Sequence, residues 1–337
     1  MSQPQDLLSP AVPDVQAGRP RTEISLTRVG VIGVEKVIRV AAAEPGIDPA
    51  GQLFFAQLEC FVDLNPQQAG AHMSRFEEIV NEAIDEVVLS QSLKAERLAS
   101  EIAERVRDRQ GGLRAEVRLK ARYPETVPTP VTANSTQEIY TLYGTAVASE
   151  HGTRTLTGVE AQGMTACPCA QQLVASSARE RLADLGYDAE QVAEIIDAVP
   201  VATHNQRGIG TLHVGRREGA EQEIDARDLL HIVESSMSSE IYELMKRADE
   251  QSVVEKAHAN PRFVEDCVRE MIRLVAEAYP WLADGGFVCA RQENLETIHR
   301  HNVVAERSGE LAEILRELET GERSPHHVTA REWLSGG

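Results

Sequence analysis

Apolar positions in the first 150 residues switch between two spacings. From Ile24 to Val40 the chain is rich in β-formers, and LFFAQLECFVDL (53–64) is a second candidate strand, so the two read as a hairpin or near neighbours. Phe76, Ile79, Val80, Ala83, Ile84, Val87 and Val88 then recur at the 3, 4, 7, 8 spacing of a helix with one buried stripe, within a helical stretch over 73–108. A second helix over roughly 92–108 carries Leu98, Ile102 and Val106, and Gly111 and Gly112 stop it. Alternation returns with Val117, Leu119, Ala121 and Tyr123, a loop is marked by Pro124, Pro128 and Pro130, and a strand follows over 137–149. The order is β-β-α-α-β-β.

The second half repeats this order loosely. A strand is expected over 153–165, helices over 168–186 and 188–197, and a strand through GIGTLHVGR (208–216). Long helices are expected over 225–247 and 260–278, the latter capped by Asn260 with Pro261 at its first position. Its stripe is Val264, Cys267, Val268, Met271, Ile272 and Val275, and strands over 286–292 and 298–306 close the pattern. The expected class is α+β, a duplication of antiparallel hairpins and paired helices. Residues 1–21, with Pro4, Pro10, Pro13 and Pro20, read as a mobile arm; 22–150 and 151–310 are the two halves, and 311–337 a polar, mobile tail.

Composition narrows the function. With 53 acidic against 34 basic residues the formal charge is −19, which argues against a nucleic-acid binder. No apolar run is long enough to span a membrane, and the N-terminus lacks the basic and apolar regions of a secretory signal. Five cysteines, odd and sparse, do not make a disulfide framework, so the expected location is the cytoplasm, with thiols free to bind metal.

Three segments carry candidate chemistry. In GMTACPCAQ (163–171), Pro168 denies a helix to the residue before it, so Cys167 and Cys169 stand at a strand end beside a helix start. A helix N-terminus favours a thiolate, the form that binds metal or takes up a proton; two structural cysteines at a turn are the plainer reading. In THNQRG (203–208), His204, Asn205, Gln206 and Arg207 precede a strand and either line a site or form a solvated loop. In LETIHRH (295–301), His299 and His301 share one face if the segment is a strand, so both could bind metal, one could act on substrate, or both could be surface residues. Among the carboxylates, Glu240, Glu250, Glu255 and Glu265 are not separable by spacing, although Glu265 lies beside a buried stripe. A mixed Cys, His, Glu, His shell would suit Zn(II), Fe(II) or Mn(II).

Seven segments in order, GVEKV (33–37), HMSR (72–75), GMTACPC (163–169), HNQRG (204–208), SSEIYELMKRADE (238–250), NPRFVEDCVRE (260–270) and ETIHRH (296–301), resemble the GTP cyclohydrolase IB family, which includes an archaeal branch making a methanopterin precursor. The resemblance implies a tunnelling fold with two tandem β-β-α-α-β-β halves, antiparallel sheets with helices on one face, and homotetramers with active sites at interfaces. It places one divalent metal on Cys167, His204, Glu250 and His299, a proton shuttle on Cys169, and guanine contacts on Glu265 and Glu296, with Gln206 and Arg207 lining the substrate and His301 a further proton carrier. Arg75, Arg207, Lys246, Arg247 and Lys256 are candidates for the triphosphate. Two departures stand out: Ala248 replaces a usual Pro, and the long helical insertion at 170–199 resembles the archaeal branch.

The implied reaction is hydrolytic opening of the GTP imidazole ring at C8, loss of formate and closure to 7,8-dihydroneopterin triphosphate, the first step of folate and pterin biosynthesis. Two alternatives remain: the same opening with a 2′,3′-cyclic phosphate product, and a purine- or pterin-binding protein without turnover.

Overall fold

A computed structural model describes residues 15–40, 52–87 and 94–336. Most of the arm, Val88 of the expected stripe and residues 92–93 lie outside them. The first half contains β1 (Leu26–Val40), β2 (Gln52–Leu64), α1 (Met73–Val87), α2 (Ala95–Gln110), β3 (Ala115–Pro128) and β4 (Ser135–Ser149). The second contains β5 (Gly152–Ala166), α3 (Pro168–Asp184), α4 (Ala189–Ala198), β6 (Asn205–Arg216), α5 (Ala226–Ser235), β7 (Ser239–Glu240), α6 (Arg247–Ala259), α7 (Val264–Ala278), β8 (Phe287–Leu295), β9 (Val303–Glu310), α8 (Leu311–Thr320) and α9 (Ala330–Leu334).

The strands form one antiparallel sheet in the order β1-β2-β3-β4-β5-β6-β8-β9, with β7 paired to β5. Strand alternation builds its layers. On one face, Phe76, Ile79 and Val80 of α1 and Leu98, Ile102 and Val106 of α2 pack on Leu58, Cys60, Val117 and Leu119. Further along that face, Leu229 and Val233 of α5 and Met271 and Val275 of α7 pack on Val159, Leu212, Val214 and Ala290. Burial pushes the Cys60 and Cys267 thiols up to about 12, so both are inert packing groups.

The architecture corrects the expected fold on three counts. The sheet is continuous rather than divided between two halves. The second half is not a plain β-β-α-α-β-β unit: α3 and α4 separate its first two strands, and β7 and α6 separate its main helices. Nor are the helices confined to one face. Trp333 and Leu334 of α9 pack with Val147, Leu156 and Phe287, whose neighbours Ala146, Ala148 and Val288 point to the opposite side. The tunnelling-fold description is therefore set aside. The residues expected to form a polar tail instead bury Leu311, Ile314 and Trp333.

Local expectations were also revised. The expected helix over 225–247 is α5 followed by a break, since Ser236 turns its hydroxyl back to the Ile232 carbonyl (2.6 Å), and β7 begins at Ser239. Helix α7 starts at Val264, where Asp266 reaches back to the Phe263 N–H (3.0 Å); Asn260 is spent on the Met237 and Ser238 carbonyls.

Candidate functional site

The helix-covered face of the sheet changes from apolar to polar toward one end. On β5, Val159 and Ala161 give way to Gly163, Thr165 and then Cys167; on β6, read backwards, Val214 and Leu212 give way to Gly210, Gly208 and Gln206; on β8, Val288 and Ala290 give way to Gln292 and Asn294. The glycines make room: a Cβ on Gly208 would lie 2.4 Å from Gln292 Nε2, and one on Gly210 would lie 2.5 Å from Val233 Cγ1. The result is a polar mouth at the β5 C-terminus, the β6 N-terminus and the β8 C-terminus.

Cys167 caps α3. Its backbone is extended, Pro168 occupies the first helical turn, and its Sγ accepts from the Ala170 N–H at 3.5 Å. Its own N–H donates to the His204 carbonyl at 3.1 Å and its carbonyl accepts from the Thr203 hydroxyl at 2.7 Å, so thiol and imidazole belong to adjoining strand ends. Gln171 extends the tie, donating to the carbonyls of His258 (2.7 Å) and Val201 (3.4 Å). On the ring of His204, Nδ1 lies 3.0 Å from Gln206 Oε1 and 3.7 Å from Glu296 Oε2. The amide of Gln206 donates to Thr165 Oγ1 at 3.1 Å. The Glu296 side chain is only 7% exposed, and its Oε2 is buried without a hydrogen-bond partner.

The other expected residues stand apart. Cys169 is exposed in the first turn of α3. Arg207 alternates away from Gln206 and is exposed on the other face of β6, so it does not line this mouth. Glu250 and Glu265 are exposed in the first turns of α6 and α7. His299 and His301 lie in the loop between β8 and β9 rather than on a strand; their exposed rings nevertheless stack, 5.2 Å between centroids. Among the candidate cations, Arg75 caps the α2 end through the Arg109 carbonyl (3.2 Å) and Lys256 pairs with Glu240 at 2.5 Å; Lys246 and Arg247 are exposed.

The donor chemistry fits a divalent ion in part. Cys167 and His204 offer sulfur and imidazole at adjoining positions, but Cys167, His204, Glu250 and His299 do not close on one point. Among the described residues, the group of three donors within 4.8 Å of one another is Glu313, Glu317 and His327. There Arg307 Nη2 already lies 3.0 Å from Glu317 and 3.6 Å from Glu313.

Several residues that hold the site together escaped sequence reasoning. Thr165 shares the face of Cys167 by simple alternation, a signal that was available. Asp249 was not: burial would raise its carboxyl, but the Thr132 hydroxyl and the N–H groups of Thr132, Lys246 and Val131 hold it well below the usual range. It pins the β3–β4 hairpin tip to the start of α6, next to Glu250.

A sheet whose strand ends bring a thiol, an imidazole and an unpartnered carboxylate to one polar mouth defines a candidate hydrolytic centre. A family model described as type I GTP cyclohydrolase folE2 matches residues 12–305, and the chain belongs to that family. It is 40% identical to the GTP cyclohydrolase MptA of Methanococcus aeolicus, over 90% of this chain and 99% of that one. It is 38% identical to the MptA proteins of Methanococcoides burtonii and Methanosarcina mazei, over 91% of this chain in both. The type IB resemblance is thus narrowed to folE2 and MptA, and membership places the chain among GTP cyclohydrolases, which act on GTP. Solved structures similar to it include the uricases of Arthrobacter globiformis (8% identity, 89% of this chain and 96% of that one, TM-score 0.48) and Bacillus fastidious (8%, 90% and 99%, 0.46). No helix among the described residues is long and apolar enough to cross a membrane.

Proposed function

We propose that the chain opens the guanine imidazole ring of GTP at C8 by hydrolysis, releases formate and recloses the product as a dihydropterin. The reading rests on one juxtaposition: Cys167 and His204 joined through their backbones at 3.1 Å, with the unpartnered Glu296 oxygen 3.7 Å from the imidazole. A buried carboxylate oxygen without a donor is costly, and a guanine N–H would supply one. Glu296 is therefore the ring contact within the mouth, with Glu265 a second contact from the α7 start. Cys169, exposed on the first turn of α3, and His301 carry protons to the departing ring nitrogens.

One divalent cation, Fe(II), Mn(II) or Zn(II), is proposed at Cys167 and His204; Glu250 and His299, exposed and apart from them within one chain, would complete its shell only when their segments close on it in the assembled protein. Its contribution would be to bring the pKa of water toward neutrality. The site residues on exposed segments, together with sheet edges β1 and β9 that each pair on one side only among the described residues, support a homo-oligomer, proposed as a tetramer with active sites between subunits.

Two products are compatible with this chemistry: 7,8-dihydroneopterin triphosphate, and the 2′,3′-cyclic phosphate, whose formation adds a step in which the neighbouring side-chain hydroxyl closes on the innermost phosphorus and diphosphate leaves. The helical pair α3–α4 and the identity to archaeal MptA proteins favour the cyclic phosphate. Phosphate analysis and mass measurement of the pterin made by purified protein separate them: one retained phosphate in a ring supports the cyclic product, and an intact triphosphate rejects it.

A further inference from the structure

The sequence suggested Gln206 as a substrate contact, yet its environment leaves it little to offer a substrate. The residue is 6% exposed, and both ends of its amide are occupied: Nε2 by Thr165 Oγ1 at 3.1 Å, and Oε1 by His204 Nδ1 at 3.0 Å. Thr165 is itself fully buried, on the strand paired with Gln206. The amide is thus clamped between a core hydroxyl and the imidazole.

We propose that Gln206 is a positioning residue that fixes His204 as the Nδ1–H tautomer and so leaves the Nε2 lone pair free. The neutral imidazole carries one N–H and one lone pair, and the partner of one nitrogen decides which is which. Two acceptors face Nδ1, the Gln206 amide oxygen at 3.0 Å and the Glu296 carboxylate oxygen at 3.7 Å. Turning the amide the other way would place a donor against a Nδ1 lone pair. The Glu296 oxygen, which has no other partner, would then face that same lone pair with no hydrogen between them. Electrostatics therefore selects the orientation in which Nδ1 donates. A histidine that donates one nitrogen to a fixed acceptor presents the other as a better ligand or base. Thr165 anchors the Gln206 amide in place, Glu296 selects which way it points, Gln206 fixes His204 at hydrogen-bond distance, and Nε2 is left to act.

This inference rests on His204 working in the proposed reaction, but its first test does not. Long-range ¹H–¹⁵N spectra of metal-free protein, recorded above the imidazole titration, report the tautomer of each histidine; His204 is assigned through its contacts with Gln206. The expected pattern is Nδ1–H for His204 in the wild type, and an Nε2–H pattern in the wild type overturns the proposal. In the near-isosteric Gln206→Met the Nδ1–H signature should be lost or mixed, and its full retention would also overturn the proposal. Chelator competition should show metal affinity falling by about 10- to 100-fold in that variant. With GTP, kcat should fall while KM changes less than twofold; a raised KM at unchanged kcat returns Gln206 to substrate binding. Should the wild type show the Nδ1–H tautomer and yet no variant of Cys167 or His204 alter metal affinity, the metal assignment fails and the tautomer assignment stands.

Discussion

Glu234 illustrates how single residues in this protein are tuned by what surrounds them. Its Oε1 accepts from the Tyr140 hydroxyl at 2.8 Å, and burial, with Glu240, Glu125 and Glu138 nearby, pushes its carboxyl up from 4.5 to about 7. An acid raised in this way favours the fold while protonated. The folded state holds the proton between pH 4.5 and 7 whereas the unfolded chain does not, so this group lowers stability as pH climbs through that window. Glu234→Gln should flatten that decline, measured as Tm across pH 4 to 8; an unchanged slope would show that Glu234 is not the group responsible. The two cysteines of the CPC turn should also divide. Cys167→Ala should lose bound metal, whereas Cys169→Ala should keep metal and lose turnover, and equal metal content after identical purification contradicts that division. Spacing alone did not join Cys167 to His204; the family resemblance paired them, and their backbones adjoin because both fall at the ends of paired strands. Nor could spacing reveal that Arg207 turns to the opposite face, because THNQRG looked like a loop until the β6 alternation was fixed by its partners.

At the scale of elements, strand faces were legible, since alternation over nine or more residues leaves little choice of face, but strand ends were not: β3 runs through Pro124 to Pro128, where the prolines predicted a loop. The serine-rich stretch 235–239 hid its break within an apolar run, and only the burial of Ser236, Ser238 and Ser239 shows why the chain turns there. His299 and His301 lost their strand because β8 runs on to Leu295 and β9 begins only at Val303. Close approach between layers gives a sharper prediction. A Cβ on Gly144 of β4 would sit 2.2 Å from the Ala95 carbonyl carbon and 2.3 Å from its oxygen, backbone atoms at the start of α2 that have no rotamer to change. Gly144→Ala should destabilise by about 1–3 kcal/mol. The measurement is the urea midpoint at unchanged m-value, and a wild-type midpoint would show that α2 can slide.

Across the whole molecule, the C-terminal residues lock the second face of the sheet. The Trp333 ring lies 5.5 Å from that of Phe287, its Nε1 donates to the Gly285 carbonyl at 3.2 Å, and the Arg154 guanidinium lies 5.2 Å over it while also donating to the Trp333 carbonyl. Sequence reading missed this because a single tryptophan in a polar stretch has no periodicity to betray it. Trp333→Ala should cost about 3–5 kcal/mol, read from chemical denaturation. A loss below about 0.5 kcal/mol, the range of surface substitutions, would mean that α9 is a dispensable cover.

The central claim is that this chain hydrolyses the guanine ring of GTP with the help of one divalent cation held at Cys167 and His204. The direct measurement is an anaerobic assay of metal-stripped protein with GTP, resupplied separately with Fe(II), Mn(II) or Zn(II), with formate and pterin quantified together. The account predicts formate and dihydropterin in equal amounts only after metal is restored, and neither from Cys167→Ala. Full turnover by the stripped protein, or no formate with any of the three metals, would contradict it.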